Sequence, residues 1–205
     1  MVTNEELGQR RPAHLALGML AVNQYTMVET QVSVLLTDMA SADPLPIAAV
    51  YGELRQGHIQ AKALRAVAKV VLVQDDLDLL TRLMKVIKSA SDGRDQLAHR
   101  MWMYDDQLPL DVILVDPAVV WTTSHLSRIA GGPGPVQMED AEGIQRTLAE
   151  GCRIWSMQEL EALRIQAVRC VVGLQAFSLM LKAGTPEVRA GERQKVVNIL
   201  VMAGS

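Results

Sequence analysis

Aromatic side chains are the first scarcity: one Phe, three Trp and three Tyr in a chain of 205 residues. Any core must then be filled by Leu, Val, Ile, Ala and the 11 Met, an aliphatic inventory that suits packed helices. Cysteine is nearly absent as well. Cys152 and Cys170 have no Cys-x-x-Cys spacing, which excludes a zinc ribbon and a disulfide framework and points to a reduced compartment. A basic excess is missing too, with 20 Lys and Arg against 23 Asp and Glu and a formal charge of -3. General nucleic-acid binding normally comes with a basic domain, so any RNA contact has to be local. The most apolar runs, residues 15–22 and 196–203, are too short to cross a bilayer, and the start lacks a basic-then-apolar signal layout. The expectation is a soluble cytoplasmic protein with no membrane partner. Gly131-Gly132-Pro133-Gly134-Pro135 has no Gly-Lys-Ser/Thr after it, which excludes a phosphate-binding P-loop.

What is present reads as a mainly α-helical single domain over residues 1–205: a helical core at 13–104, loop and short strands at 105–155, and C-terminal helices at 156–203. Residues 1–12 are polar and read as a loose lead-in. Ala21, Tyr25, Val28, Val32, Leu35 and Met39 then recur at steps of four and three, which places them on one face of a long helix ending before Asp43-Pro44. A shorter helix is expected at 47–56, and after Gly57 a third carries Ile59, Ala63, Val67 and Val70 on its inner face. Asp75 and Asp76 cap a fourth, with Leu77, Leu80, Met84 and Ile87 buried and Arg82, Lys85 and Lys88 toward its C-terminal half, where they complement the helix dipole. The cluster Asp75, Asp76 and Asp78 lacks the glycine and closing Glu of a calcium loop, so capping is preferred over metal. Residues 89–93 predict a break or kink, followed by one or two helical turns to Trp102. Residues 110–115 and 118–122 read as strands around Asp116-Pro117, residues 140–150 as a short helix, and 152–155 as a further strand. Ser156-Met157-Gln158-Glu159 has the form of a capping box opening a helix to Lys182, and Thr185-Pro186 opens the last.

One stretch packs a cation, an acid and an imidazole together: Arg94-Asp95-Gln96-Leu97-Ala98-His99. In a helix Asp95 and His99 are four apart and face each other, whereas Arg94 sits part of a turn round. Such a set can support phosphodiester cleavage without a metal or other cofactor. Imidazole moves protons near neutral pH, so His99 would serve a ribose hydroxyl or a leaving oxygen. Arg94 would brace the developing phosphate charge, and Asp95 would orient the imidazole or hold the helix start. Helix capping by the same three residues is the plain alternative. His14, His58 and His125 have no ligand partner at metal spacing, and Trp102, Trp121 and Trp155 read as core or interface anchors rather than base-stacking platforms.

Arg, a polar residue, three more and His, placed after long amphipathic helices, resembles the signature of the HEPN superfamily of helical proteins. The resemblance covers roughly residues 13–102. It implies a helical bundle that pairs as a homodimer, with two Arg/His motifs meeting across the interface, and a metal-independent endoribonuclease of the toxin or defence kind. Arg82, Lys85, Lys88 and Arg100 are then candidates for phosphate contacts, RNA or a nucleotide is the ligand, and a protein antitoxin or regulatory chain is a further partner. Arg100 follows His99 where related sequences often carry a small residue. Other members of the superfamily keep the fold as binding modules, so a non-catalytic dimeric interaction module stands as the rival expectation.

Overall fold

Proline opens several of the described helices. In the computed structural model, which describes residues 4–41, 43–54, 57–119 and 151–204, α1 (Asn4–Arg10) is followed by α2 (Pro12–Ala40) and α3 (Pro44–Glu53). Pro at the first helical position loses nothing, because that N–H has no partner inside the helix. Asp43 caps α3, its side chain accepting from Leu45 N at 2.9 Å. The helix expected at 47–56 therefore starts earlier, since Pro44 and Pro46 begin it instead of preceding it. The loose lead-in is also corrected: residues 4–10 are helical and Leu7 is fully buried.

Next come α4 (Gly57–Val71) and α5 (Gln74–His99), then β1 (Met101–Met103), β2 (Asp111–Val115) and β3 (Cys152–Ser156). The chain closes with α6 (Met157–Lys182) and α7 (Pro186–Gly204). The mainly helical class is as expected. The helical residues divide between two compact units, Met1–Val22 with Gly93–Ala162, and Asn23–Asp92 with Leu163–Ser205.

The second of these units holds the larger core. Val28 and Leu35 of α2, Leu64 of α4, Leu80 and Leu83 of α5, Leu174, Phe177 and Met180 of α6 and Val196 of α7 are almost completely buried. The α2 face read from the sequence is buried from Ala21 to Met39 as expected. The α4 face is not. Ile59 and Val70 are exposed while Leu64 and Ala68 are fully buried. Helix α4 has two apolar stripes, and the one bearing its only Leu takes the core, a choice that periodicity alone cannot make. Among the described residues of this unit, the partly buried Asp38 and the buried Asp76 are both paired. Asp38 accepts from Ser178 and pairs with Lys182 at 2.6 Å, and Asp76 pairs with Arg189 and Arg193. Asp76 lies in the first turn of α5, as the capping expectation required, but its carboxylate is spent on two arginines of α7.

Helix α5 runs unbroken through Ser89 to Gly93, against the expected kink. Ala90 is buried at 1% exposure and Lys88 pairs with Asp92 one turn on at 2.9 Å. An interior Gly costs a helix only about 1 kcal/mol and no proline is present, so packing decides. The helix expected from the capping box to Lys182 is present as α6, and its 26 residues include a window of mean hydropathy 1.3, long and apolar enough by composition to span a bilayer, half of which is buried.

In the other unit the three strands form an antiparallel sheet in the order β1-β2-β3. The strands expected at 110–115 and 152–155 are present. Residues 117–119 are helical instead of extended, because Asp116 turns the chain by accepting from Ala118 N at 2.8 Å. The remainder of that expected strand, the helix at 140–150, Trp121 and His125 lie outside the described residues. The capping box forms in full: Glu159 N donates to Ser156 Oγ at 3.2 Å and Ser156 N to Glu159 Oε2 at 2.9 Å. The α1–α2 junction is tied to the loop after β1. Arg10 and Arg11 lie over the Tyr104 ring at 5.4 and 5.7 Å, and Arg11 also donates to Asp105 O at 3.3 Å.

Candidate functional site

Helix α5 ends because the chain after His99 is recruited into the sheet. Trp102 pairs with Leu114 in β2, so the helical turn expected up to Trp102 is a strand from Met101. The last carbonyls of any helix lack an internal donor. Here the Trp102 indole folds back and Nε1 donates to Leu97 O at 2.9 Å. The same ring lies against Gly18 of α2, where a Cβ would stand 2.1 Å from Trp102 Cη2. Leu97 itself is 2% exposed. The end of α5 is thereby fixed by one buried leucine and one tryptophan, which is the anchoring role expected of Trp102. Trp155, 4% exposed, is a core residue as expected.

On this anchored end the motif residues separate into two groups. Arg94 donates to Asp95 Oδ1 at 2.9 Å, with side-chain exposures of 26% and 51%. The carboxylate expected to orient His99 is thus engaged by its neighbour. Since α5 is continuous, Arg94 is not at a helix start, and five residues of helix put it roughly 140° around the axis from His99. One chain alone does not bring Arg94 and His99 onto the same face. His99 is the last residue of α5 and exposed, and among the described residues its imidazole makes no hydrogen bond or ion pair.

Gln96, three residues before His99 and so its neighbour on the helix surface, is engaged from an unexpected direction. Arg153 of β3 donates to Gln96 Oε1 at 2.9 Å, and its guanidinium lies over the Trp155 ring at 4.4 Å. Register explains the reach: Trp102, Leu114 and Arg153 are directly paired across the sheet, so their side chains share one face. Arg100 donates to Gly151 O at 3.4 Å, one residue before β3. Arg100 and Arg153 have no carboxylate partner among the described residues, whereas the charge of Arg94 is compensated by Asp95. Both cations sit beside a helix C-terminus, which favours positive charge.

Arg82, Lys85 and Lys88 are exposed on α5 but belong to the other compact unit, and Lys88 is taken up by Asp92. His14, read from the sequence as lacking metal partners, is buried with Nε2 2.8 Å from Leu110 O and donates to that carbonyl. The side chain of His58 lies outside the described residues. Arg153 is the residue that the sequence reading missed. An arginine in a strand carries no local signal, and its pairing to Gln96 crosses 57 positions. Comparison with protein-family models, with curated proteins and with solved structures finds no match to this chain.

Proposed function

We propose that the end of α5 is the active site of a metal-independent endoribonuclease of HEPN type, working as a homodimer in the cytoplasm as a toxin or defence component. The observation that carries the reading is His99: an exposed imidazole at an anchored helix end, engaged in no side-chain hydrogen bond or ion pair among the described residues. Imidazole can take and return a proton near neutral pH. His99 takes the proton of a ribose 2'-hydroxyl as its oxygen attacks the adjacent phosphorus. The bond to the 5'-oxygen breaks, a 2',3'-cyclic phosphate forms, and the leaving oxygen receives a proton from His99 of a second copy. Arg94, on another side of the helix from its own His99, serves the phosphate charge across that pairing, which is why the reading requires a dimer.

Single-stranded RNA incubated with the protein in EDTA is expected to be cut, and His99→Ala to lower the rate about 100- to 10,000-fold, the usual worth of a general acid–base group. RNA left intact over a range of protein concentrations, or cut equally by His99→Ala, would sink the proposal.

The Arg94–Asp95 pair favours a second reading, a non-catalytic dimeric module that binds RNA, a nucleotide or a regulatory protein chain such as an antitoxin. That reading expects Arg94→Ala and His99→Ala to weaken the dimer or lower its unfolding temperature, without any RNA cleavage to lose. Two variants as stable and as dimeric as the parent would remove it.

A further inference from the structure

We infer that Arg153 is the residue that holds the phosphate backbone of a single-stranded RNA beside His99. The inference rests on the RNA-binding part of the reading above, and it adds a residue outside the Arg-x4-His motif, contributed by a strand 54 positions away in sequence. Three observations carry it. Arg153 is exposed, although it is fixed in orientation by the Trp155 ring at 4.4 Å and by Gln96 Oε1 at 2.9 Å. A guanidinium offers five N–H donors in a rigid fork, and Gln96 takes up only part of that set. The acceptor it has found is neutral, and among the described residues no Asp or Glu pairs with Arg153.

Position matters as much as charge. Gln96 and His99 are neighbours on the surface of α5, so a phosphate taken by the free edge of Arg153 lies along the face that presents the imidazole. Arg100, held at Gly151 O, adds a second cation with no carboxylate partner among the described residues. The ligand class follows from the scale of the site. One or two fixed guanidiniums in a chain of net charge -3 cannot supply the long basic track of a duplex binder, but they suit a short single-stranded segment. A guanidinium already stacked on an indole also loses little side-chain freedom when it binds.

The test measures binding of a fluorescent single-stranded oligonucleotide with 2'-O-methyl riboses, which cannot undergo the proposed cleavage, as a function of salt. Arg153→Gln is expected to weaken binding about tenfold and to reduce the slope of log affinity against log salt by about 0.7, the share of one phosphate contact in a single strand. Arg153→Lys keeps the charge and is expected to keep the slope. A purely structural Arg153 would lower the unfolding temperature and leave the slope alone. Unchanged affinity and slope in Arg153→Gln, or no binding by the parent protein, overturns the inference. Cleavage is read separately on ordinary RNA. Arg153-dependent binding without His99-dependent cutting removes the endoribonuclease and leaves this inference standing, and His99-dependent cutting with Arg153-independent binding does the reverse.

Discussion

Gly18 shows how much can rest on a missing methyl. A Cβ there would stand 2.1 Å from Trp102 Cη2 and 2.8 Å from Cζ2. The ring has nowhere simple to go, because its Nε1 is tied to Leu97 O. Gly18→Ala should destabilise the protein by about 1–3 kcal/mol, the usual cost of overpacking, seen as an earlier thermal transition. Trp102→Phe in the same chain shortens the ring and should recover part of the loss; an additive double variant would mean that the two positions do not touch. Burial governs chemistry as well as packing. Burial pushes the Cys170 thiol up to about 12, whereas Cys152 is half-buried. A thiol reagent at neutral pH should therefore modify at most Cys152 in the native protein and both cysteines in denaturant. Rapid native labelling of two thiols would contradict the packing of α6. At this scale the sequence was partly legible. Arg94, Asp95 and His99 announce themselves by spacing, but Gly18 and Arg153 matter only through partners 84 and 57 positions distant, and no local pattern records such distances.

Elements were legible where their signals are local. The Ser156 and Glu159 capping box can be read from four residues because both bonds close within those four. Ser156→Ala should cost about 1 kcal/mol, measured as a shift in urea midpoint, with no change in the denaturant slope. Helix α5 was harder to read. Ser, Asp and Gly over residues 89–93 favour a break when propensity is summed, and the burial of Ala90 against the core reverses that local preference. The first turn of the same helix holds the other non-local feature. Asp76, at 2% exposure, is paired with Arg189 and Arg193, whose side chains are 41% and 37% exposed. Solvent screening at the arginines discounts the interaction, yet removing the acceptor leaves two part-exposed guanidiniums without their carboxylate and a gap where it was buried. Asp76→Ala should cost about 2 kcal/mol, and Arg193→Ala less, since Arg189 still satisfies the carboxylate. Equal losses in the two variants would mean that the carboxylate needs both arginines. The sequence placed Asp76 correctly at the helix start but could not show what lay above it, because α7 begins 110 residues later.

For the whole molecule, the borders of the two compact units fall at Val22/Asn23, Asp92/Gly93 and Ala162/Leu163. Each lies inside a helix, so no Pro-rich or Gly-rich linker marks it and composition carries no trace of the division. One global property does follow from buried groups: the alkaline limit of stability. Cys170 has an ordinary value of 9.0 raised to about 12 by burial. Tyr51 is raised above its ordinary 10.0, first by burial and then by the nearby charge of Glu29 and by Tyr25. In both cases the folded state holds its proton more tightly than the unfolded chain. Below pH 9 both states are protonated and the contribution to stability is fully present. Between pH 9 and 12 the unfolded thiol ionises while the folded one does not, so stability falls by up to about 1.4 kcal/mol per pH unit from Cys170, with Tyr51 adding to the fall above pH 10. Urea midpoints should be flat with respect to these two groups up to pH 9 and decline beyond it. Cys170→Ala, despite its own cavity cost, should flatten the first part of that decline, and Tyr51→Phe the later part. A decline whose onset and slope ignore both substitutions would mean that the alkaline weakness does not arise from these two buried groups.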